Sequence, residues 1–209
     1  MIKIAALSAL TLMAFTPHGE LKDMNIGDAL PMADHPMMDV SGKEFNLKQL
    51  AAKNGLLVVF TCNTCPFVVG SEGSEGWEGR YPELGVFARQ NGVGLALVNS
   101  NEAKRAMGDG LEDMKAHFTE KKYTHYYLLD KGHAVADAFG ARTTPHVFLF
   151  DKDMKLVYKG AIDDNVESAS KVQVPYVRNA ITNLAAGKPI DPATTRNIGC
   201  SIKRVEHQH

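Results

Sequence analysis

Two cysteines separated by two residues, Cys62-Asn63-Thr64-Cys65, follow the apolar run Leu56-Leu57-Val58-Val59-Phe60 and precede Pro66. The C-x-x-C spacing holds two sulfurs close enough to close a small disulfide ring. A buried strand ending in that pair places the first sulfur where a following helix offers free backbone N–H groups, and those groups favour a thiolate. Thiolates attack disulfides, so thiol–disulfide exchange is the chemistry expected. Cys62, nearest the strand end, is the expected nucleophile, and Cys65 the sulfur that resolves its mixed disulfide. A zinc site is the competing use of this spacing. Zinc ordinarily takes four ligands, and the chain has no second C-x-x-C and no H-x-x-x-H.

Further along, Thr143-Thr144-Pro145-His146 stands immediately before a second apolar strand, Val147-Phe148-Leu149-Phe150. Proline is uncommon at the start of a buried strand, which makes Thr144 and Pro145 candidates for a specific role. The third cysteine, Cys200, follows Pro189, Pro192 and Gly199, in a loop able to return over the pair. Two readings of it stay open: a third redox cysteine, or an inert thiol packed under the tail. Arg142 and His146 flank the Thr-Thr-Pro segment and are candidates for stabilising a thiolate or a peroxide oxygen, against a plain role as loop residues. Asp163 and Asp164 follow a strand, where capping or turn bonding is favoured over acid–base work. The strand Leu56 to Phe60 holds no acid, so the sequence identifies no general base for the second cysteine.

These groups need one framework to bring them together. The chain has 209 residues, 44% hydrophobic, enough for one domain with a sizeable core. A net charge of -1 without long charged runs argues against nucleic acid or anionic lipid as partner. Three cysteines are too few for a disulfide-stapled scaffold. Met1-Ile2-Lys3 and the apolar Ile4 to Phe15 match a secretory leader, too short to span a bilayer, so export to a periplasmic or other extracytoplasmic space is expected and no stable membrane span is. The expected division is a signal segment over 1–19, a globular domain over 25–190 and a tail over 191–209 carrying Cys200.

A short hairpin is predicted around Ser41-Gly42, then a helical turn through Leu47 and Leu50. Glycines at every third position from Gly70 to Gly79 predict a short turn after the cysteines and a flexible loop, with Trp77 as its anchor and a helix resuming near Pro82. Strands at 94–99, 126–130, 147–151 and 155–162 alternate with helices at 111–121, 134–140 and 174–186. The order β-α-β-α-β-β-α implies an α/β thioredoxin-like fold: a mixed central sheet flanked by helices, with an N-terminal hairpin and an inserted β-α unit.

Cys62-Asn63-Thr64-Cys65-Pro66-Phe67, Asn99-Ser100-Asn101, Thr144-Pro145, Leu156 to Asp164 and Gly199-Cys200-Ser201-Ile202-Lys203 together resemble the peroxiredoxin-like branch of the thioredoxin superfamily, within the alkyl hydroperoxide reductase and thiol-specific antioxidant group. The resemblance runs from about Leu30 to Lys203. It implies that Thr144-Pro145 takes the cis form against the cysteines, leaving the preceding backbone free to pair with an incoming chain. It also inclines Cys200 toward a redox role. Three departures stand out: the interrupted helix after Phe67, Arg204 where the branch often has tryptophan, and the lack of a threonine three residues before Cys65, where Cys62 itself stands. The last lowers the peroxidase reading. The expected activity is thiol–disulfide exchange with a protein or small thiol, fed by an upstream thiol reductant. Thiol peroxidase is the alternative and copper delivery a lesser one. No metal or organic cofactor is implied.

Overall fold

A computed structural model describes residues 21–205; the leader expected over 1–19 lies outside the described residues, as do 206–209. Strand β3 (Gly55–Thr61) is apolar without alternation because both of its faces are covered, and all seven of its residues are buried. It pairs in parallel with β4 (Val93–Asn99), which pairs in parallel with β5 (Tyr126–Leu129), and antiparallel with β7 (His146–Asp151). Strand β8 (Leu156–Gly160) closes one side antiparallel to β7. The N-terminal hairpin, β1 (Met37–Asp39) and β2 (Glu44–Phe45), turns at Ser41-Gly42 as expected and adds to the other side through β5. The sheet order is therefore β2-β1-β5-β4-β3-β7-β8, the mixed thioredoxin-like arrangement with its N-terminal hairpin and inserted β-α unit.

The alternation of β3 sorts the core into two halves. Leu57 and Val59 join Val147 and Leu149 on the face covered by α3 (Tyr81–Gln90) and α6 (Tyr176–Ala185), through Leu84, Ala88, Val177 and Ile181. Leu56, Val58 and Phe60 join Phe148, Phe150 and Phe139 on the other, under α5 (Ala134–Phe139). Each such fully buried side chain contributes roughly 1.5–3 kcal/mol. Phe139, Phe60 and Phe148 meet edge to face, with centroids 5.1–5.7 Å apart. Helix α1 (Leu47–Leu50) is a single turn held by reciprocal bonds between Asn46 and Gln49. Helix α4 (Leu111–Glu120) links β4 to β5.

After the cysteines the helix is short, α2 (Pro66–Val69), and α3 resumes at Tyr81, close to the expected pattern. The glycine segment between them is not a loose loop. Trp77 is 1% exposed, its N–H donates to Phe67 O, and Glu75 N–H donates to Glu167 O. Gly76 sits at φ +69°, and a β-carbon there would lie 2.3 Å from Val68 O. Gly76 lets this segment lie against α2, and Gly70 lets it fold back on Ser74 and Glu75, contacts that the glycine spacing alone reads as flexibility. Trp77 anchors it, as expected.

Candidate functional site: three sulfurs around Thr144

Strand β3 ends at Thr61, and Cys62 and Cys65 lie just beyond it, 1% and 3% exposed. Cys65 is the N-cap of α2, its carbonyl accepting from Val68 at 2.8 Å. Cys62 lies a full turn before that helix, so the position expected of it belongs to Cys65. Pro145 opens β7 through a cis bond to Thr144, as the resemblance implied. That bond lays Thr144 across both sulfurs: Oγ1 is 3.2 Å from Cys62 Sγ, and the thiol of Cys65 is 3.2 Å from the Thr144 carbonyl, to which it donates when protonated.

Cys200 completes the group. It lies in β9 (Cys200–Ser201), antiparallel to β6 (Thr143–Thr144), with Thr144 opposite Cys200. The nearness of the Cys200 thiol and backbone N–H favours negative charge on Cys65, and that of the Phe67 N–H, at the start of α2, favours it on Cys200. The Cys65 thiol takes no capping bond from α2 itself; the helix-start amide serves Cys200, while Cys62 lies further back along the chain.

Charge follows from these contacts. Hydrogen bonds from Cys62, Cys200 and Thr144 bring the Cys65 thiol down to about 5 against the opposing effect of burial. The Cys62 thiol is held well above its ordinary value, first because it donates to Cys65, then by burial and the nearby Asp109 carboxylate. Burial and its bond to Cys65 push Cys200 up to about 11. The three therefore share one favoured anion, on Cys65.

Beneath the cysteine turn lies a carboxylate that sequence reasoning missed. Asp109 has no exposed surface and accepts from Asn63 N–H (2.7 Å), Thr64 Oγ1 (2.7 Å), Asn99 Nδ2 (2.8 Å) and Asn101 Nδ2 (3.1 Å). Asn63 also receives from Tyr127 OH at 2.8 Å and donates to Gly108 O. Arg105 braces the network through Asn99, the Asp109 carbonyl and the Asp130 carbonyl. The signals available were Asn99-Ser100-Asn101, already singled out, and an acid flanked by glycines at Gly108-Asp109-Gly110.

The other candidates do not reach the sulfurs. Arg142 pairs with Asp23 at 3.1 Å and the Leu21 carbonyl. His146 packs on Phe148, centroids 4.4 Å apart, on the face of the sheet opposite the cysteines, and burial lowers it to about 4. Asp163 accepts from Asn165 N–H in a turn, and also from Trp77 Nε1 (2.7 Å) and Arg80 Nε (3.1 Å), holding the glycine segment down. Asp164 accepts from Gln173 N–H. Among the described residues, no group of three or more His, Cys, Asp or Glu side chains is arranged to hold a metal, and no helix is long and apolar enough to cross a membrane.

A buried C-x-x-C at the end of a central strand, faced by a threonine ahead of a cis-proline, defines a thiol-redox protein of thioredoxin-like fold. The redoxin family profile matches residues 25–174, and the chain belongs to that family. It is similar to an uncharacterized conserved protein from Geobacillus kaustophilus, at 30% identity and TM-score 0.77, over 88% of this chain and 94% of that one. Two more distant structures share the fold. Peroxidoxin BcpB from Mycobacterium tuberculosis is 14% identical with TM-score 0.54, over 78% of this chain and 97% of that one. A thiol:disulfide interchange protein DsbE from Chlorobium tepidum, so described in a putative sense, is 13% identical with TM-score 0.55, over 79% and 98%. None of the curated proteins matches this chain.

Proposed function

We propose that this redoxin is a thiol–disulfide oxidoreductase whose attacking sulfur is Cys65. The observation that carries the reading is the placement of Cys65, at the N-cap of α2, against Thr144, which also meets Cys62 and pairs with Cys200; the contacts there favour the thiolate and bring the Cys65 thiol down to about 5. The Cys65 thiolate attacks one sulfur of a substrate disulfide, forming a mixed disulfide and releasing one thiolate. Cys62 then attacks Cys65 Sγ, closing the C-x-x-C ring and expelling the second half of the substrate. The proton shed by Cys62 goes to one departing thiolate, so a protein thiol and thiolate become one disulfide and the substrate disulfide becomes one thiol and one thiolate. Cys200, placed opposite Thr144 and close enough to perturb Cys65, is the second group able to resolve the mixed disulfide.

This reverses the order expected from sequence, in which Cys62 attacks and Cys65 resolves. Support for the reversal comes from position: Cys65 caps α2, while Cys62 is more deeply buried and lies beside Asp109. The test is to mix pre-reduced protein with glutathione disulfide and, separately, with hydrogen peroxide, and to count thiols lost. Loss of two thiols to the disulfide, with slow peroxide consumption, is the expected result. Rapid stoichiometric consumption of peroxide with inertness to the disulfide would make the protein a thiol peroxidase, with a sulfenic acid on the reactive cysteine.

A further inference from the structure

The backbone ahead of Pro145 is the edge that the resemblance left free for an incoming chain, and here it is taken. Strand β9 pairs with it antiparallel, Thr143 opposite Ser201 and Thr144 opposite Cys200, and Ile202 N–H donates to Arg142 O at 3.0 Å. The tail is pinned on both sides of that pairing. Before it, Thr195 N–H donates to Lys159 O and Thr195 Oγ1 bonds Tyr158 OH. After it, Ile202 is buried in the core, Lys203 N–H donates to Asn101 Oδ1, and Arg204 pairs with Asp137 at 2.7 Å. Gly199 makes the approach possible, because a β-carbon there would stand 2.3 Å from the Thr144 carbonyl oxygen.

We infer that residues 199–203 act as a resident client strand, so that the external exchange partners of this site are low-molecular-weight thiols and disulfides rather than polypeptides. A polypeptide client gains affinity by adding its main chain to an exposed edge. At this edge those bonds are already made, and the sulfur brought alongside Cys65 is the chain's own Cys200. Displacing the tail would forfeit the Ile202 packing and the anchoring bonds, which a small disulfide need not disturb. The return step fits the same geometry. In a Cys65–Cys200 disulfide, Cys200 is the more exposed sulfur and Cys65 the better leaving group. A small thiol attacks Cys200 and releases the Cys65 thiolate; a second equivalent then takes the first off Cys200, leaving two protein thiols and one small disulfide.

The inference rests on disulfide exchange at this site, and its test separates the two. In a Cys200→Ser background, which keeps the strand, the protein is treated with the 2-pyridyl disulfide of cysteamine or of an unstructured single-cysteine peptide, and release of pyridine-2-thione is followed. Relative to free cysteine, the peptide probe lags the small one by about tenfold or more, the measure of an edge it cannot join. Adding Gly199→Val pushes the tail off Thr144 and removes most of that lag. Equal relative rates for the two probes in the parent would overturn the inference. Should the valine variant not fold, hydrogen exchange on the unmodified protein decides: slow exchange at the Ile202 amide is expected, and exchange as fast as in an unstructured peptide refutes a resident strand. Inertness of the unmodified protein to glutathione disulfide with the probe lag intact would sink the oxidoreductase reading and leave the occupied edge standing.

Discussion

Asp109, fully buried, accepts the backbone N–H of Asn63 at 2.7 Å and so holds the turn between the two cysteines from beneath. Truncating it strands the donors on Asn63, Thr64, Asn99 and Asn101 without an acceptor. Asp109→Ala is expected to destabilise the fold by about 3–5 kcal/mol, as for removing one partner of a buried charged network. Urea unfolding of the reduced protein measures this; a loss under about 1 kcal/mol would mean that the network does not position the site.

The favoured anion on Cys65 has a signature in its reactivity with pH. Its alkylation rate should climb through an inflection near 5 and level off above it, as the thiolate fraction saturates. Replacing Thr144 with valine removes the hydroxyl that sits on Cys62 Sγ and whose nearness also favours the Cys65 thiolate, and so moves the inflection upward. Cys62→Ala removes the largest lowering contact and moves it further. Peptide-resolved iodoacetamide rates read all three. An inflection near 9 in the unmodified protein, or one near 5 that belongs to Cys62, would return the attacking role to the first cysteine.

The resolving step can be caught. With Cys62 changed to serine, a mixed disulfide on Cys65 has only Cys200 beside it, so a Cys65–Cys200 disulfide is expected after treatment with one equivalent of glutathione disulfide. Mass spectrometry of the unreduced digest shows it. A stable glutathione adduct on Cys65, with Cys200 still free, would assign Cys200 to packing alone.

Much of this arrangement was legible because its signals are local. The uninterrupted apolar run of β3 marked a strand covered on both faces, the hairpin carried its Ser41-Gly42 turn, and the cysteine spacing announced itself. What escaped depends on where the chain returns. Asp109 reads as a loop acid until β4 and the cysteine turn are brought over it. Nothing local shows that Cys200 lands opposite Thr144, or that Gly199 is there to let two backbones touch. The repeated glycines misled for the same reason: all looked like freedom, when the missing side chain at Gly76 permits close contact with Val68 of α2, next to the buried Trp77.

Two buried histidines outside the site are expected to make the fold sensitive to acid. Burial lowers His125 and His146 to about 4, from an ordinary value of 6.5, and both His125 nitrogens and His146 Nδ1 have no hydrogen-bond partner. Between those values the unfolded chain takes up protons that the folded one refuses. The stability these residues contribute is complete above about pH 6.5 and drains away as pH falls toward 4, by as much as about 3 kcal/mol for each. Phenylalanine at both positions keeps the ring packing on Tyr123 and Phe148 while removing the titration. Thermal melts between pH 6.5 and 4 should therefore fall less steeply for His125→Phe/His146→Phe than for the unmodified protein. Parallel curves would show that the acid sensitivity lies elsewhere, with the Cys65 thiolate the next group to examine, since its stabilising effect also shrinks as pH falls toward 5.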